Sequence, residues 1–143
     1  MNGVNPWLLL AGSLSAAAAL AHLAVIPGGP RWYAFFGAGQ RMVRLAERGS
    51  PVATLITLGI ATVLAVWSAY GLSGAGLLPP LPLLGPGLAA ISAVYLVRAL
   101  VFVPAVLIRT GRAGPFAWTS SAIVLVFGLA YAIGTWTVWD SLP

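Results

Sequence analysis

Two side chains in one apolar stretch have the types and the spacing to bind an anion. Arg98 lies in the run from Ile91 to Arg109, and Tyr95 precedes it by three residues, which is the spacing of neighbours on one side of a helix. A guanidinium and a phenol placed in this way can together hold a carboxylate, a phosphate or a carbonyl oxygen. An ionised side chain at bilayer depth normally faces a bundle interior or a wet cavity and has a partner. The sequence therefore predicts a ligand site at Arg98.

Three further polar side chains are expected at similar depths. Along ideal helices, with about 1.5 Å per residue, Arg98 lies roughly 15 Å and His22 roughly 6 Å from the cytoplasmic ends of their helices. On the same scale Thr62 lies near the level of Arg98, and Tyr131 shares a slightly deeper layer with Tyr95. We expect these five residues to line an intramembrane pocket for an anionic or quinone-like amphiphile. In the alternative, helix carbonyls, tyrosine hydroxyls and lipid phosphate satisfy Arg98, which then binds no ligand.

Other kinds of chemistry have little support in the sequence. His22 is the only histidine and the chain has no cysteine, so we predict no metal site, no thiol chemistry and no cofactor. The only two carboxylates are Glu47 and Asp140, and both fall outside the predicted hydrocarbon region. Ser120 and Ser121 have no base and carboxylate pair beside them, as nucleophilic catalysis would require. We therefore name no catalytic residue, and an enzyme is the least supported class.

The composition shows which elements must position these residues. Of the 143 residues 60% are hydrophobic and 6% are charged, against about 25% charged in an ordinary soluble domain. The apolar residues form four blocks, at about 6–26, 51–71, 86–108 and 117–139, in a single membrane domain of residues 1–143. The first block is expected to be a retained helix and not a signal peptide, because residues 1–5 include no Lys or Arg. The predicted fold is all-α, a bundle of four transmembrane helices.

An amphipathic cytoplasmic segment is predicted between the first two helices, at about 31–48. Its first aromatic side chains, Trp32 and Tyr33, are expected at headgroup level. Arginines then follow on one helical face and are expected to contact anionic lipid: Arg41, Arg44 and Arg48. Gly37 and Gly39 argue against one unbroken helix. The alternative is a plain basic loop that connects two spanning helices.

The arginines predict the orientation of the chain. Six of the seven lie in two connections, Arg31, Arg41, Arg44 and Arg48 in the first and Arg109 and Arg112 in the third, whereas the termini and the second connection have no Lys or Arg. By the positive-inside rule the first and third connections are cytoplasmic and both termini lie on the outer side. Charge at the ends of apolar blocks does not suit nucleic acid. Arginine without lysine, in an Ala- and Gly-rich chain, suggests the inner membrane of a bacterium.

Three hypotheses for the function follow. The first is binding or transport of the amphiphile at Arg98. The second is an accessory subunit of a larger membrane complex, or a homo-oligomer, which packs through small residues such as Gly12 and Ala16. The third is a membrane enzyme. The size and four-helix plan resemble the membrane-associated glutathione and eicosanoid transferases, whose intramembrane arginine steadies a thiolate, but their Arg–Asn–Glu pattern in the second helix is absent here. The small multidrug transporters are similar only in helix number, because His22 stands here in the first helix where they have a glutamate.

Overall fold

The fold is all-α and includes four helices long and apolar enough to cross a membrane. The computed structural model describes residues 3–111 and 115–142, and this part of the chain contains no β-strand. The four spans are Pro6–Phe35, Pro51–Gly74, Leu84–Val101 and Trp118–Ser141. The predicted fold class is thus confirmed, and the chain is a multi-pass membrane protein.

The helices, in chain order, are interrupted more often than the sequence predicted. They are α1 (Pro6–Phe35), α2 (Gln40–Glu47), α3 (Pro51–Gly74), α4 (Leu84–Val97), a π-helical turn (Arg98–Phe102), α5 (Val103–Thr110), α6 (Pro115–Val138) and a closing 3-10 turn (Trp139–Ser141). Two of the helices begin with a side-chain cap. Asn5 Oδ1 accepts a hydrogen bond from the backbone N–H of Leu8 at 2.9 Å, and Ser50 Oγ accepts one from Val52 at 3.3 Å.

Large apolar side chains are exposed on all four spanning helices. Examples are Leu20, Leu55, Val97 and Ile123, each more than half exposed. A soluble monomer does not expose apolar surface along the whole length of its helices. The outer surface is therefore matched to lipid, and the interior is built from smaller side chains.

The chain forms two compact units, and each takes part of α1 and part of α3. The first unit comprises residues 1–15 and 67–143, and the second comprises residues 16–66. In the first unit α4 packs along α6. Small residues allow this close approach: a Cβ on Gly128 would lie 3.1 Å from the backbone nitrogen of Leu96. The second unit has a core of Val25, Tyr33 and Ala53, which is covered by apolar side chains of α2.

The first helix does not end near Ile26, where the first apolar block was predicted to end, but continues to Phe35 across a break. Gly29 has φ 66° and ψ −159°, a conformation outside the helical region that only glycine adopts readily. Pro30 disfavours a helical conformation in the residue before it, which explains the position of the break. The proline ring is itself preorganised for a first helical position, so the helix resumes directly after it.

Candidate functional site

Arg98 lies on an outward-facing, apolar surface and not in an interior pocket. Its side chain is exposed, and four apolar neighbours on the same element are each between 50 and 60% exposed: Val94, Val97, Leu100 and Val101. Within the described residues the guanidinium has neither a hydrogen-bond partner nor an ion-pair partner. Its five N–H donors are therefore available to a group from outside the described chain.

The backbone at Arg98 departs from the α-helix because of Pro104. The turn from Arg98 to Phe102 is π-helical, with i→i+5 pairing in place of i→i+4. Proline has no N–H and its ring would clash with the carbonyl of Leu100, four residues earlier. In the π register the carbonyl of Ala99 would meet the nitrogen of Pro104, which has no hydrogen to donate.

A serine on α6 supplies the missing donor. Ser121 Oγ donates to the carbonyl oxygen of Ala99 at 2.7 Å, and both residues are buried. A buried carbonyl without a partner would cost about 1–3 kcal/mol, so this bond stabilises the π-turn and fixes α6 against it. The sequence identified Ser121 only as a weak candidate nucleophile. Its structural role follows from a proline on the neighbouring helix.

The two tyrosines predicted beside Arg98 belong to a buried chain of hydroxyl groups. Tyr131 Oη donates to the carbonyl of Trp67 at 2.8 Å, because a carbonyl can only accept. A phenol has one proton, so at its 3.0 Å contact with Ser15 Oγ the Tyr131 oxygen accepts and Ser15 donates. Ser15 has then used its own proton, and Tyr95 Oη donates to Ser15 Oγ across 3.1 Å. The order is Tyr95 to Ser15 to Tyr131 to the Trp67 carbonyl.

Aromatic packing encloses this chain of hydroxyls. The Tyr95 ring is stacked on Tyr131 with centroids 5.7 Å apart, and meets Trp67 at 4.9 Å and Phe127 at 5.5 Å edge-on. Tyr95 and Tyr131 are buried, with 2% and 0% of their surfaces exposed. The four rings and Ser15 therefore tie together the parts of α1, α3, α4 and α6 that form the first unit.

In this arrangement Tyr95 has no free donor for the anion that it was expected to bind. The only proton of the Tyr95 hydroxyl is donated to Ser15, and the ring points inward while the Arg98 side chain is exposed. Two side chains three residues apart differ by about 60° around a helix, enough for one to be buried and the other not. The structure brings Tyr95 and Tyr131 together, and Arg98 stands beside them as the group with free donors.

The other two residues of the predicted pocket lie in the second unit and bond to their own helices. His22 is half-buried, and its Nδ1 donates to the carbonyl of Ala18 at 2.7 Å, which fixes the hydrogen on that nitrogen. Thr62 is exposed and donates to the carbonyl of Leu58 at 2.8 Å. Neither bond requires a ligand.

Among the residues predicted for the membrane interface, Tyr33 differs from the others. Trp32 and the three arginines of the segment, Arg41, Arg44 and Arg48, are exposed. Tyr33 is only 3% exposed, and its hydroxyl contacts Thr57 Oγ1 at 2.9 Å and the carbonyl of Ala53 at 3.4 Å. Its ring therefore joins the last turn of α1 to the first turns of α3.

No protein-family model matches the chain, and neither a curated protein nor a solved structure is significantly similar to it.

Proposed function

We propose that this membrane protein binds an anionic or quinone-like amphiphile at the exposed guanidinium of Arg98. The observation that supports the proposal is that an arginine without a partner in the described chain lies on the apolar outer face of a spanning helix. An ion in such surroundings is costly unless an anion or strong acceptor accompanies it. An amphiphile offers an acceptor head for Arg98 and an apolar body for Val94 and Val97.

Neither of the chain's two carboxylates, Glu47 and Asp140, forms an ion pair with Arg98. Asp140 follows Trp139, whose ring lies against the first turn of α4 near Gly85. Arg98 is roughly 20 Å farther along that helix. Glu47 is exposed on α2 in the second unit and forms no ion pair among the described residues.

The location that goes with this proposal is the inner membrane of a bacterium, with both termini on the outer side. The distribution of arginines supports the orientation, since Arg41, Arg44 and Arg48 lie between the first two spans, Arg31 lies near the end of the first span, and Arg109 follows the third span. Arg112, which also counts toward the orientation, lies outside the described residues. This orientation opens the Arg98 surface toward the cytoplasmic half of the bilayer.

The structure gives less support to the accessory-subunit alternative. That hypothesis depends on a stripe of small residues left uncovered by the chain's own fold, with Gly12 and Ala16 as its members. Gly12 is buried, and a Cβ there would lie 3.0 Å from both the backbone and the side chain of Leu72. Gly12 is therefore occupied by a contact within the chain's own fold. This contact gives no support to self-association through the stripe. For the enzyme alternative, no catalytic set has been identified among the described residues.

The test is a thermal-shift screen of the purified protein in detergent. The wild type, Arg98→Leu and Arg98→Lys are heated with oleate, a short-chain phosphatidate or a short-tailed quinone. Ligand binding stabilises by RT ln(1 + [L]/Kd), about 2.7 kcal/mol at a hundredfold excess over Kd. We expect this gain for the wild type, its loss in Arg98→Leu, and a smaller gain in Arg98→Lys, because lysine lacks the planar fork.

Arg109→Leu is the matched control, because it removes the same charge from the exposed end of α5. It should keep the full ligand response. Without ligand, Arg98→Leu should be as stable as the wild type or more stable, because an unpaired charge has been removed. If no compound stabilises the wild type more than Arg98→Leu, the binding proposal is wrong.

A further inference from the structure

The two faces of α2 have different surroundings, and the apolar face is already occupied. Four side chains of α2 pack against the core of the second unit: Met42, Val43, Leu45 and Ala46. That core consists of Val25, Tyr33 and Ala53. The helix therefore does not need to insert its apolar face into lipid, as a free amphipathic segment would. It is held by the protein with its polar face outward.

The polar face is a row of arginines whose side chains form no hydrogen bond or ion pair with the described residues. Arg41, Arg44 and Arg48 are exposed, and consecutive members are about 4.5 and 6 Å apart along the helix axis. Glu47 is the one acidic residue of the segment, and in the described part of the chain it forms no ion pair with any of them. Three guanidinium groups are thus presented together without a neutralising group.

Exposed aromatic side chains lie on the last turn of α1 and directly after it. The rings of Trp32 and Phe36 are 6.1 Å apart, and those of Phe35 and Phe36 are 5.2 Å apart. Phe35 is 75% exposed. Aromatic rings that are exposed next to arginines are typical of the boundary between hydrocarbon and headgroups.

Short connections hold α2 at that boundary. Only residues 36–39 separate it from α1, and residues 48–50 separate it from α3, while both of these helices are long and apolar enough to span a membrane. The Tyr33 hydroxyl contacts Thr57 and Ala53 and so joins the two helices beneath α2. The arginine row cannot move far from the membrane surface.

We propose that Arg41, Arg44 and Arg48 form a binding surface for the phosphate groups of anionic phospholipids in the membrane that the protein spans. The charges are complementary, and the planar fork of arginine binds phosphate oxygens in a bidentate manner. The exposed rings of Trp32, Phe35 and Phe36 would contact the upper part of the acyl chains beside those headgroups. The surface exists before lipid binds, because the core of the second unit already holds α2. This inference does not depend on the ligand site at Arg98.

The experiment uses the full chain in detergent, with short-chain phosphatidylglycerol or phosphatidylcholine added, and native mass spectrometry counts the lipids retained. We expect the wild type to prefer phosphatidylglycerol. Changing the three arginines together to glutamine should weaken that binding about fivefold per charge, or roughly a hundredfold in total. Raising the salt concentration should also weaken the binding of phosphatidylglycerol to the wild type, because salt screens the charges.

Two controls distinguish this surface from the Arg98 site and from a helix that folds only on contact with lipid. Arg98→Leu should keep the preference for phosphatidylglycerol, and the triple glutamine variant should keep any response to oleate or quinone, so that either proposal can fail alone. Hydrogen exchange of residues 40–47 should be equally slow with either lipid, because α2 is formed in advance.

Equal retention of both lipids by the wild type, or a preference unchanged in the triple variant, would overturn the proposal in favour of an acidic protein partner or of no partner. Fast exchange that slows only with phosphatidylglycerol would overturn the claim of a preformed surface.

Discussion

The order of the buried hydroxyl groups assigns different energetic roles to two similar tyrosines. Tyr131 donates to the carbonyl of Trp67 and accepts from Ser15, whereas Tyr95 only donates to Ser15. Removing the Tyr131 hydroxyl removes the second hydrogen bond to the Trp67 carbonyl, which lies within α3, and leaves the serine proton without its partner. Removing the Tyr95 hydroxyl leaves only an acceptor position on Ser15 empty.

We therefore expect Tyr131→Phe to be more destabilising than Tyr95→Phe. Hydrogen bonds between membrane helices contribute about 0.6 kcal/mol on average, and a buried group without a partner costs about 1–3 kcal/mol. Tyr131→Phe should lower the free energy of unfolding by about 1–2 kcal/mol, and Tyr95→Phe by about half of that. The measurement is unfolding in mixed micelles. Tyr70→Phe is the control, because its hydroxyl bonds to the carbonyl of Pro82 outside the ring cluster. Equal losses for Tyr95 and Tyr131 would contradict the order of donors.

For single residues, the sequence predicted which polar side chains lie in one layer better than it predicted which groups they contact. Tyr95 and Tyr131 were predicted to share one layer, and the structure stacks them. The sequence predicted that both served Arg98, because spacing along one helix shows which residues are near one another but not which of them points inward. Ser15 is not among the predicted site residues, although a serine hydroxyl between closely packed helices is available to bond with a neighbouring helix.

Among the elements, the crossing of α1 and α3 depends on two glycines. A Cβ on Gly71 would lie 2.8 Å from the Cα of Gly12 and 3.0 Å from the Tyr131 hydroxyl. Ser68 reinforces the same crossing by donating to the carbonyl of Gly12 at 2.8 Å. Because the Gly12 contact is with backbone atoms, it cannot give way without moving a helix.

Gly71→Ala should therefore destabilise the protein, by about 1–3 kcal/mol or more, through overpacking. Gly59 lies on the same helix, and a Cβ added there would meet no atom of the described residues within 4 Å outside its own helix backbone. Gly59→Ala should be neutral or stabilising by up to about 1 kcal/mol, because alanine favours the helix. The two variants are compared by thermal unfolding in one detergent. Equal thermal stability of the two variants would mean that α1 and α3 are less closely packed at their crossing than described.

A double-mutant cycle can test why the helix changes register at Arg98. Ser121→Ala removes the donor to the Ala99 carbonyl and should cost about 1 kcal/mol. In a Pro104→Ala background the backbone regains an N–H, so the same substitution should cost clearly less. The cycle yields the coupling energy between the two residues. A cost independent of Pro104 would show that the serine does not compensate for the proline.

The sequence predicted the number of long helices correctly but not their interruptions. A span is identified by hydrophobicity averaged over about 20 residues, which one proline or glycine hardly changes. The break at Gly29 and the π-turn at Arg98 instead depend on single backbone groups near Pro30 and Pro104. Prolines indicate where such a departure can occur. Its form depends on which donor, such as Ser121, the neighbouring helix provides.

For the whole molecule, the orientation in the membrane can be tested directly. Reporter enzymes active only outside the cytoplasm, fused after the C-terminus or within residues 73–77, should be active. The same fusions near Arg44 or Arg112 should be inactive, because arginine-rich connections stay in the cytoplasm. A paired reporter active only in the cytoplasm provides the control and should give the opposite pattern. If both reporters reverse, the proposed orientation is wrong.

The division into two compact units could not be predicted from the sequence. It depends on contacts between distant parts of the chain, and the boundaries fall inside α1 and α3, near Ser15 and Trp67, where hydrophobicity does not change. Both units are linked internally by a tyrosine hydroxyl, Tyr131 in the first and Tyr33 in the second. The sequence predicted Tyr33 at headgroup level, because it lies among aromatic and basic neighbours, but did not predict that its ring is buried within the second unit.

The stacked rings of the first unit also make its packing visible to spectroscopy. Trp67 and Tyr95, with centroids 4.9 Å apart, lie in a fixed and asymmetric arrangement with Tyr131 and Phe127. Rigid aromatic packing of this kind produces a near-ultraviolet circular dichroism signal, which disappears when side chains become mobile even if the helices persist. The folded interior of this protein can therefore be followed in detergent or lipid without any label or ligand.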